Sequence, residues 1–525
     1  MINESAKADQ KHDTIPTILN NAIFQFSQEL LFLSLNENIK FIFNDLTEIL
    51  NRITGRLLAS GLKKGDRICS ISDQNIEACL LFWAAARVGI ITVPIDNNWA
   101  GPFIQHVLDE IDASLIFFDW DSYSAKNKTL VLKNVIIYDG NLNSDQKSLH
   151  FIDWIGEPYS RIANEIVEET DPVVILFSSG SSGYPKGIIL SHGSLCRSAK
   201  LIAATWGIDS SDRFLNLAEI YSMSGLRNTC VLPLITGNCM ILSTRSERNN
   251  LSFITELIKK NSATILGTAP ILIKQYLIYN YTEISDALKS LRFIISTGCS
   301  LPQMDTDSFF DHYGIPIFNY YGLTETTGFC IAQSIGNYKH AVGSVGLPIG
   351  CEIKVLNEEG SSLPFNEVGE LCIKSPNMML GYFKNESLTK EVIKRGWFYT
   401  GDLALQREDG HIVLKGRKKY FIKNAYTEII FPEEVELYLD THNKIKESAV
   451  CGYISESGDE RLAAFIVLKN NKDNQDLVFL ELGYFLKEKL GLHKIPHRFI
   501  VIDSVPRNSL GKIIRSDLEL FLKES

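Results

Sequence analysis

The stretch Ser178-Ser179-Gly180-Ser181-Ser182-Gly183-Tyr184-Pro185-Lys186-Gly187 follows an apolar run, Val173 to Phe177, and leads into Ile188-Ile189-Leu190. A strand that opens into a loop of glycines and hydroxyls and closes into a second strand reads as a grip for phosphates. Glycines let the backbone take positive φ and turn N–H groups toward an anion, the serines add donors, and Lys186 adds a positive charge. A flexible linker shares the composition, but it needs neither Lys186 between Pro185 and Gly187 nor a β-branched run after it. Two familiar phosphate loops do not fit. A Walker loop requires Gly-Lys-Ser/Thr, whereas Lys186 sits in Pro-Lys-Gly, and no Gly-x-Gly-x-x-Gly is present.

Around this loop the chain has 525 residues, too many for one ordinary core, so two or more domains are expected. A formal net charge of −10 argues against a nucleic-acid partner, which needs a basic face to neutralise phosphates. The ten cysteines are scattered without a Cys-x-x-Cys pair, which supports neither a zinc site nor a disulfide scaffold and fits a reducing cytoplasm. The most apolar stretch, Leu80 to Ile95, carries Arg87 and breaks at Gly89, so it reads as a buried helix feeding a strand and not as a membrane span. Residues 1–14 are polar and mixed in charge, unlike a signal peptide, and read as a disordered tail.

Helical and extended patterns alternate: Asp45 to Ser60 is amphipathic, Arg67 to Ile71 extended, Ile76 to Val88 helical, Ile90 to Val93 extended. That rhythm predicts an α/β fold of helix-covered, mainly parallel sheets. Ala263 to Leu266, Phe293 to Ser296 and Ile315 to Phe318 are further short runs, each leading into a loop. Ligands of such sheets sit at the carboxyl ends of strands, so these loops and the phosphate loop should meet over one site. From Val345 to Ile373 short strands with Gly, Pro and Asn turns suggest a small β-rich subdomain.

Further motifs follow in order: Tyr321-Gly322-Leu323-Thr324-Glu325, Gly369-Glu370-Leu371, Gly381-Tyr382, Tyr399-Thr400-Gly401-Asp402, Gly416-Arg417, and Pro506-Arg507-Asn508-Ser509-Leu510-Gly511-Lys512. With the phosphate loop, this series resembles the adenylate-forming superfamily of acyl- and aryl-CoA ligases, peptide-synthetase adenylation domains and luciferases. The resemblance runs from about Phe43 to Arg515. It implies an N-terminal core over 15–417, a hinge at 418–419 with Lys419 as the pivot, and a small mobile α+β C-terminal domain over 420–525.

The resemblance also implies roles. A carboxylate is a poor acyl donor, and attack on the α-phosphate of ATP gives acyl-AMP and pyrophosphate. An anion must approach a polyanion, so cations and N–H donors are the residue types required. Ser178 to Gly183 and Lys186 should hold the β- and γ-phosphates. Thr324 should donate to the α-phosphate, and Glu325 should bind Mg²⁺. By itself, a Thr-Glu pair would read as an ordinary helix start. Gly298, Cys299, Ser300 and Tyr321 fall among the expected nucleotide contacts. Asp402 suits a bidentate grip on ribose hydroxyls, and Arg417 the ribose or α-phosphate. Lys512, on a loop turned by Gly511, should meet the forming acyl-phosphate bond.

For the acid, the implied pocket comprises Ser222, Met223, Leu226, Gly267, Ile295, Thr297, Tyr320 and Phe329. These are mostly neutral and apolar, suiting an uncharged acyl or aryl group, and the bulk of Tyr320 favours a short or flat acid. Amino-acid-activating members place an aspartate within Phe-Asp-x-Ser, but Tyr221-Ser222-Met223-Ser224 stands here, so an α-ammonium would go uncompensated. Many CoA ligases have histidine at the Ser222 position, another departure. A third follows Lys423: Tyr426 replaces a glycine and Pro432 sits one residue late, which bears on the thiol acceptor and not on adenylation. The expected reaction is therefore acid activation followed by transfer to a phosphopantetheine thiol. CoA is the expected acceptor, with loading of a carrier protein the alternative and a non-catalytic nucleotide-binding member the rival class.

Overall fold

The computed structural model describes residues 13–34, 40–72, 76–97, 99, 101–119, 130, 134–138, 149–159, 166–178, 185–243, 245–248, 250–279, 282–298, 301–336, 341–420, 422–423, 429–455, 460–470, 473–507 and 512–524. Ser179 to Tyr184, Cys299, Ser300 and Tyr426 lie outside the described residues, as do residues 1–12 of the expected tail.

The alternating pattern builds two large sheets. In the first, of eight strands, Arg67–Ile71 lies between Ile91–Ile95 and Leu115–Phe118, all parallel, with Pro172–Ser178 alongside. The second has nine strands, in which Arg213–Asn216, Ile265–Thr268, Phe293–Ser296 and Ile317–Tyr321 run parallel as successive neighbours. The sheets share one core because helices pack against both. The helix Ile76–Ala86 is buried from Ala78 onward, as an all-apolar segment requires. It leaves the first sheet, yet its Trp83 stacks on Phe32 of the second at 5.8 Å and donates its indole N–H to the Cys230 carbonyl at 2.7 Å. Burying so large a ring with its one polar atom satisfied fixes how the two halves sit together.

The β-rich segment forms a separate five-stranded sheet that includes Glu352–Leu356, Gly369–Lys374, Trp397–Gln406 and Ile412–Arg417. Beyond it, the strands Ile445–Ile454, Glu460–Leu468 and Arg498–Val501 form a sheet covered by the helices Pro432–Leu439, Gln475–Leu490 and Arg515–Glu524. This last unit has its own apolar core around Val435, Leu439, Val450, Ala464 and Leu482. Among the described residues no helix is long and apolar enough to cross a membrane.

The last two residues of the expected tail, Asp13 and Thr14, belong to the folded core. Thr14, only 2% exposed, caps the helix Ile15–Gln25 by accepting from the Thr17 N–H, and Asp13 pairs with Lys200 at 2.5 Å. The reading of 1–14 as one disordered segment overlooked that Thr14 followed by Ile15-Pro16 is a cap-and-proline helix start.

One turn near the candidate pocket admits only glycine. A Cβ at Gly225 would stand 1.7 Å from the Glu219 carbonyl oxygen, inside any van der Waals contact. Gly225→Ala is expected to destabilise the fold by about 2 kcal/mol or more, measured as a lower thermal unfolding midpoint.

Candidate active site

The phosphate loop joins two paired strands. Pro172–Ser178 and Lys186–Ser191 are antiparallel, with Ser178 opposite Lys186, so Lys186 belongs to the strand that closes the hairpin. A short strand, Gly381–Tyr382, pairs with the same strand and sets Tyr382 opposite Ile188. This brings the Lys186 ammonium within 5.7 Å of the centre of the Tyr382 ring. The Tyr382 hydroxyl in turn donates to Glu325 Oε1 at 2.9 Å. Tyr382 therefore links the phosphate hairpin to the expected metal carboxylate. The sequence reading quoted Tyr382 as part of a motif and gave it no role; a conformation-setting Gly before a lone tyrosine was the available signal.

Thr324 and Glu325 lie in a single 3-10 turn, Thr324–Thr326, reached from the strand Ile317–Tyr321. The turn is fixed at both ends. Gly322 packs so closely that a Cβ there would come within 2.4 Å of the Gly328 backbone, and the Gly328 N–H donates to the Leu323 carbonyl at 2.8 Å. The Met379 N–H donates to the Glu325 carbonyl at 2.8 Å. The cap belongs to Thr326, whose hydroxyl accepts from the Leu323 N–H at 3.1 Å, so Thr324 is not spent as a helix cap.

Asp402 and Arg417 face each other across adjacent strands of the small sheet, Arg417 Nε lying 2.7 Å from Asp402 Oδ1. The Tyr321 hydroxyl donates to the other carboxylate oxygen at 2.5 Å. Asp402 is 7% exposed. Burial raises its carboxyl above the ordinary carboxylate range, against the pull of Arg417, Tyr321 and Lys512. Desolvation lowers the Arg417 guanidinium, but Asp402, Tyr321, Glu325 and Tyr420 together outweigh it and hold it above its ordinary value. One buried carboxylate thus joins the nine-stranded sheet, the small sheet and the cation from the C-terminal unit.

Lys512 is exposed and near enough for its charge to act on Asp402. Next to it Ile513 forms an antiparallel bridge with Arg507, and the Ile514 N–H donates to the Pro506 carbonyl at 2.9 Å. Behind it, Arg515 is 8% exposed and donates to Glu436 Oε1 at 2.7 Å and to the Val450 carbonyl at 3.1 Å. Burial pushes the Glu436 carboxyl up to about 7, with Arg515 opposing. The expected hinge position, Lys419, lies in the turn between the strand Ile412–Arg417 of the small sheet and the C-terminal unit.

The expected acyl-pocket positions come together at the carboxyl ends of the parallel strands. Gly267 and Ile295 are register partners, and the Thr297 hydroxyl donates to the Tyr320 carbonyl at 3.4 Å. Tyr320 packs between Trp206 and Phe329, with ring centres 5.7 and 5.4 Å away. Gly298 takes φ of +93° just past its strand. Met223 and Leu226 are buried on the helix Met223–Leu226, which Ser222 caps: its hydroxyl accepts from the Gly225 N–H at 3.1 Å and donates to the Glu219 carbonyl at 2.7 Å.

The neutral pocket expected from these positions is incomplete. Arg227, the next residue, is fully buried, with its guanidinium 5.7 Å from the Tyr320 ring centre and 5.9 Å from that of Phe329. It opens a π-helical turn, Arg227–Val231, a local irregularity common at functional sites. Sequence reasoning missed it because a lone arginine in an apolar helix reads as a surface residue.

The AMP-binding enzyme family profile matches residues 23–383, and the AMP-binding enzyme C-terminal domain profile matches 434–512. The chain belongs to the adenylate-forming superfamily. Its matches are named CoA ligases, and by class it is an acid–thiol ligase. An oxalate–CoA ligase of Arabidopsis thaliana is 25% identical over 96% of this chain and 97% of its own length. Among solved structures, the fold is similar to an anthranilate CoA ligase in complex with anthranoyl-AMP, with a TM-score of 0.88, 23% identity and 99% of each chain covered. It is also similar to the O-succinylbenzoate coenzyme A synthetase of Bacillus subtilis in complex with ATP and a magnesium ion. There the TM-score is 0.81 and the identity 23%, covering 96% of this chain and 99% of that one.

The buried Asp402 carboxylate is the acceptor expected for ribose hydroxyls. Asp402→Asn keeps the shape and removes the charge. It is expected to weaken AMP binding by roughly 10- to 100-fold, the scale of charge-assisted hydrogen bonds, as read by calorimetric titration.

Proposed function

We propose that this enzyme activates a short aliphatic or flat aromatic carboxylic acid with ATP and then passes the acyl group to the phosphopantetheine thiol of CoA. The observation that carries the reading is the convergence of Lys186, Glu325, the Asp402–Arg417 pair and Lys512, from five separate segments, on one site. In the first step an acid oxygen attacks the α-phosphorus of ATP, and the bond to pyrophosphate breaks. In the second, the thiol sulfur attacks the acyl carbonyl, AMP leaves, and the thiol proton is lost to solvent.

The residues divide this work by charge. Lys186 and the loop before it hold the β- and γ-phosphates, while the Thr324 hydroxyl reaches the α-phosphate. Asp402 takes the ribose hydroxyls, with Arg417 holding it in place. Glu325 offers carboxylate oxygen within the reach of Tyr382 and the field of Arg417, a donor set that suits Mg²⁺ shared with substrate phosphates. When bound, that ion neutralises charge on the departing pyrophosphate. Lys512 supplies a cation at the forming bond, where charge changes most, and Lys419 is the pivot that would carry it away before thiol attack.

An α-amino acid is disfavoured on two counts. The Ser222 hydroxyl is occupied by the backbone at both its donor and its acceptor side, and buried Arg227 opposes a second cation in the pocket. The alternative acceptor, a carrier protein, presents the same thiol arm; Tyr426 and the late Pro432 bear on the choice of acceptor or on the rate of the second step without selecting between the two.

Pyrophosphate release with ATP, Mg²⁺ and a panel of aliphatic, aromatic and amino acids tests the first step. Turnover with a short or flat acid and none with amino acids is the expected result. Silence with every acid by a chain that still binds ATP would mean a binding protein. Adding CoA or a purified carrier then identifies the acceptor by which of them takes the acyl group. Lys512→Ala is expected to lower acyl-AMP formation about 10²-fold with ATP affinity nearly kept, measured by single-turnover and equilibrium binding assays.

A further inference from the structure

Arg227 is a fully buried cation with four hydrogen bonds, all to neutral groups. Nε donates to Asn228 Oδ1 at 3.1 Å, Nη1 to Ser198 Oγ at 3.4 Å and to the Thr327 carbonyl at 3.3 Å, and Nη2 to the Tyr320 hydroxyl at 3.1 Å. Among the described residues no carboxylate pairs with it. The groups whose charges act on it are Tyr320 and Cys330, neither of them a carboxylate. A buried ion without a counter-ion is costly, and proteins that keep one do so where a partner arrives.

Two donors at this point also lack acceptors. A guanidinium has five N–H groups, and the four bonds leave one on Nη2 unused. The Tyr320 hydroxyl accepts from that same Nη2, and among the described residues its own proton goes to no acceptor. An N–H and an O–H on atoms 3.1 Å apart, both buried and both unmatched, form a donor pair of the spacing a carboxylate bridges. The pair lies among Met223, Tyr320 and Phe329. A Cβ at Gly328 would fall 2.5 Å from Met223 Cγ and 3.0 Å from Arg227 Nη1, so these side chains close on one point. Its immediate neighbours Ser198 and Asn228 are polar and buried as well.

We propose that Arg227 and Tyr320 receive a second carboxylate at the far end of the acid, so that the enzyme's substrate is a short dicarboxylate activated at one end only. The proposal rests on the ligase reading above and narrows its substrate class. In the complex the distal carboxylate supplies the missing counter-ion and accepts both unused protons. A chain ending in a methyl group would leave the cation unpaired, and an unmatched buried polar group is what gives an enzyme strong discrimination.

The test compares pyrophosphate release for acid pairs of equal length, one a dicarboxylate and the other its monocarboxylate with a terminal methyl. The wild-type enzyme is expected to favour dicarboxylates by about 10²-fold or more in kcat/KM. Arg227→Met should abolish that preference, lowering kcat/KM for the dicarboxylate about 10²-fold more than for its methyl-ended partner. Arg227→Lys, which keeps the charge without the fork, should restore part of the preference. If Arg227→Met does not fold, Tyr320→Phe, which removes only the hydroxyl, should lower kcat/KM for the dicarboxylate about tenfold more than for its methyl-ended partner. Preference of the wild type for methyl-ended acids, or equal loss for both acids in the variants, overturns this proposal and leaves the ligase reading intact. Silence with every acid overturns the ligase reading, and this one with it.

Discussion

The contact on which the site depends is the salt bridge between Asp402 and Arg417, sealed by the Tyr321 hydroxyl. Its three members come from two different sheets: Tyr321 ends a parallel strand of the large domain, while Asp402 and Arg417 sit opposite each other in the small one. A buried ion pair contributes little net stability, because desolvation consumes most of the Coulomb gain. What it contributes is registration. The strand Trp397–Gln406 cannot slide against Ile412–Arg417, nor the small sheet against the large domain, without stranding a charge away from water. The expected ribose carboxylate therefore stays aligned with the turn that carries Thr324 and Glu325.

How much of this was legible in the sequence follows from how each feature is encoded. The sheet strands were readable because β-branched runs between turn residues have few other solutions: Arg67–Ile71 and Phe293–Ser296 begin and end where the pattern placed them. Ile317–Tyr321 starts two residues later than its apolar run, since Pro316 cannot donate to the ladder. The site positions were readable through short motifs, because glycine is irreplaceable where backbones nearly touch, as Gly322 does with Gly328. Tyr382 and Arg227 were not legible in the same way. Their roles come from what lies opposite them in space, Glu325 in one case and Tyr320 in the other, and no local spacing records a partner 57 or 93 residues distant.

The acyl pocket illustrates the same limit from the other side. A list of lining positions by resemblance names the residues at the carboxyl ends of strands and misses whatever stands one layer behind them. Here that layer is polar, and it includes a full charge. The apolar rings of Tyr320 and Phe329 help make burial of that charge tolerable, since the faces of aromatic rings are themselves weakly negative.

The junction between the two units has a mechanical consequence. Lys418 is tied to the larger body through Glu370, at 2.8 Å, while the ring of Tyr420 is held by the smaller one under the guanidinium of Arg515. Arg515 in turn is locked to Glu436 and begins the final helix, three positions beyond Lys512. Torque applied at this joint has a lever on each side and a single residue, Lys419, between them. With Lys419 as the proposed pivot, the small body would turn as a crank whose arm starts at Tyr420, and the angle taken at one peptide would set how far Lys512 sweeps.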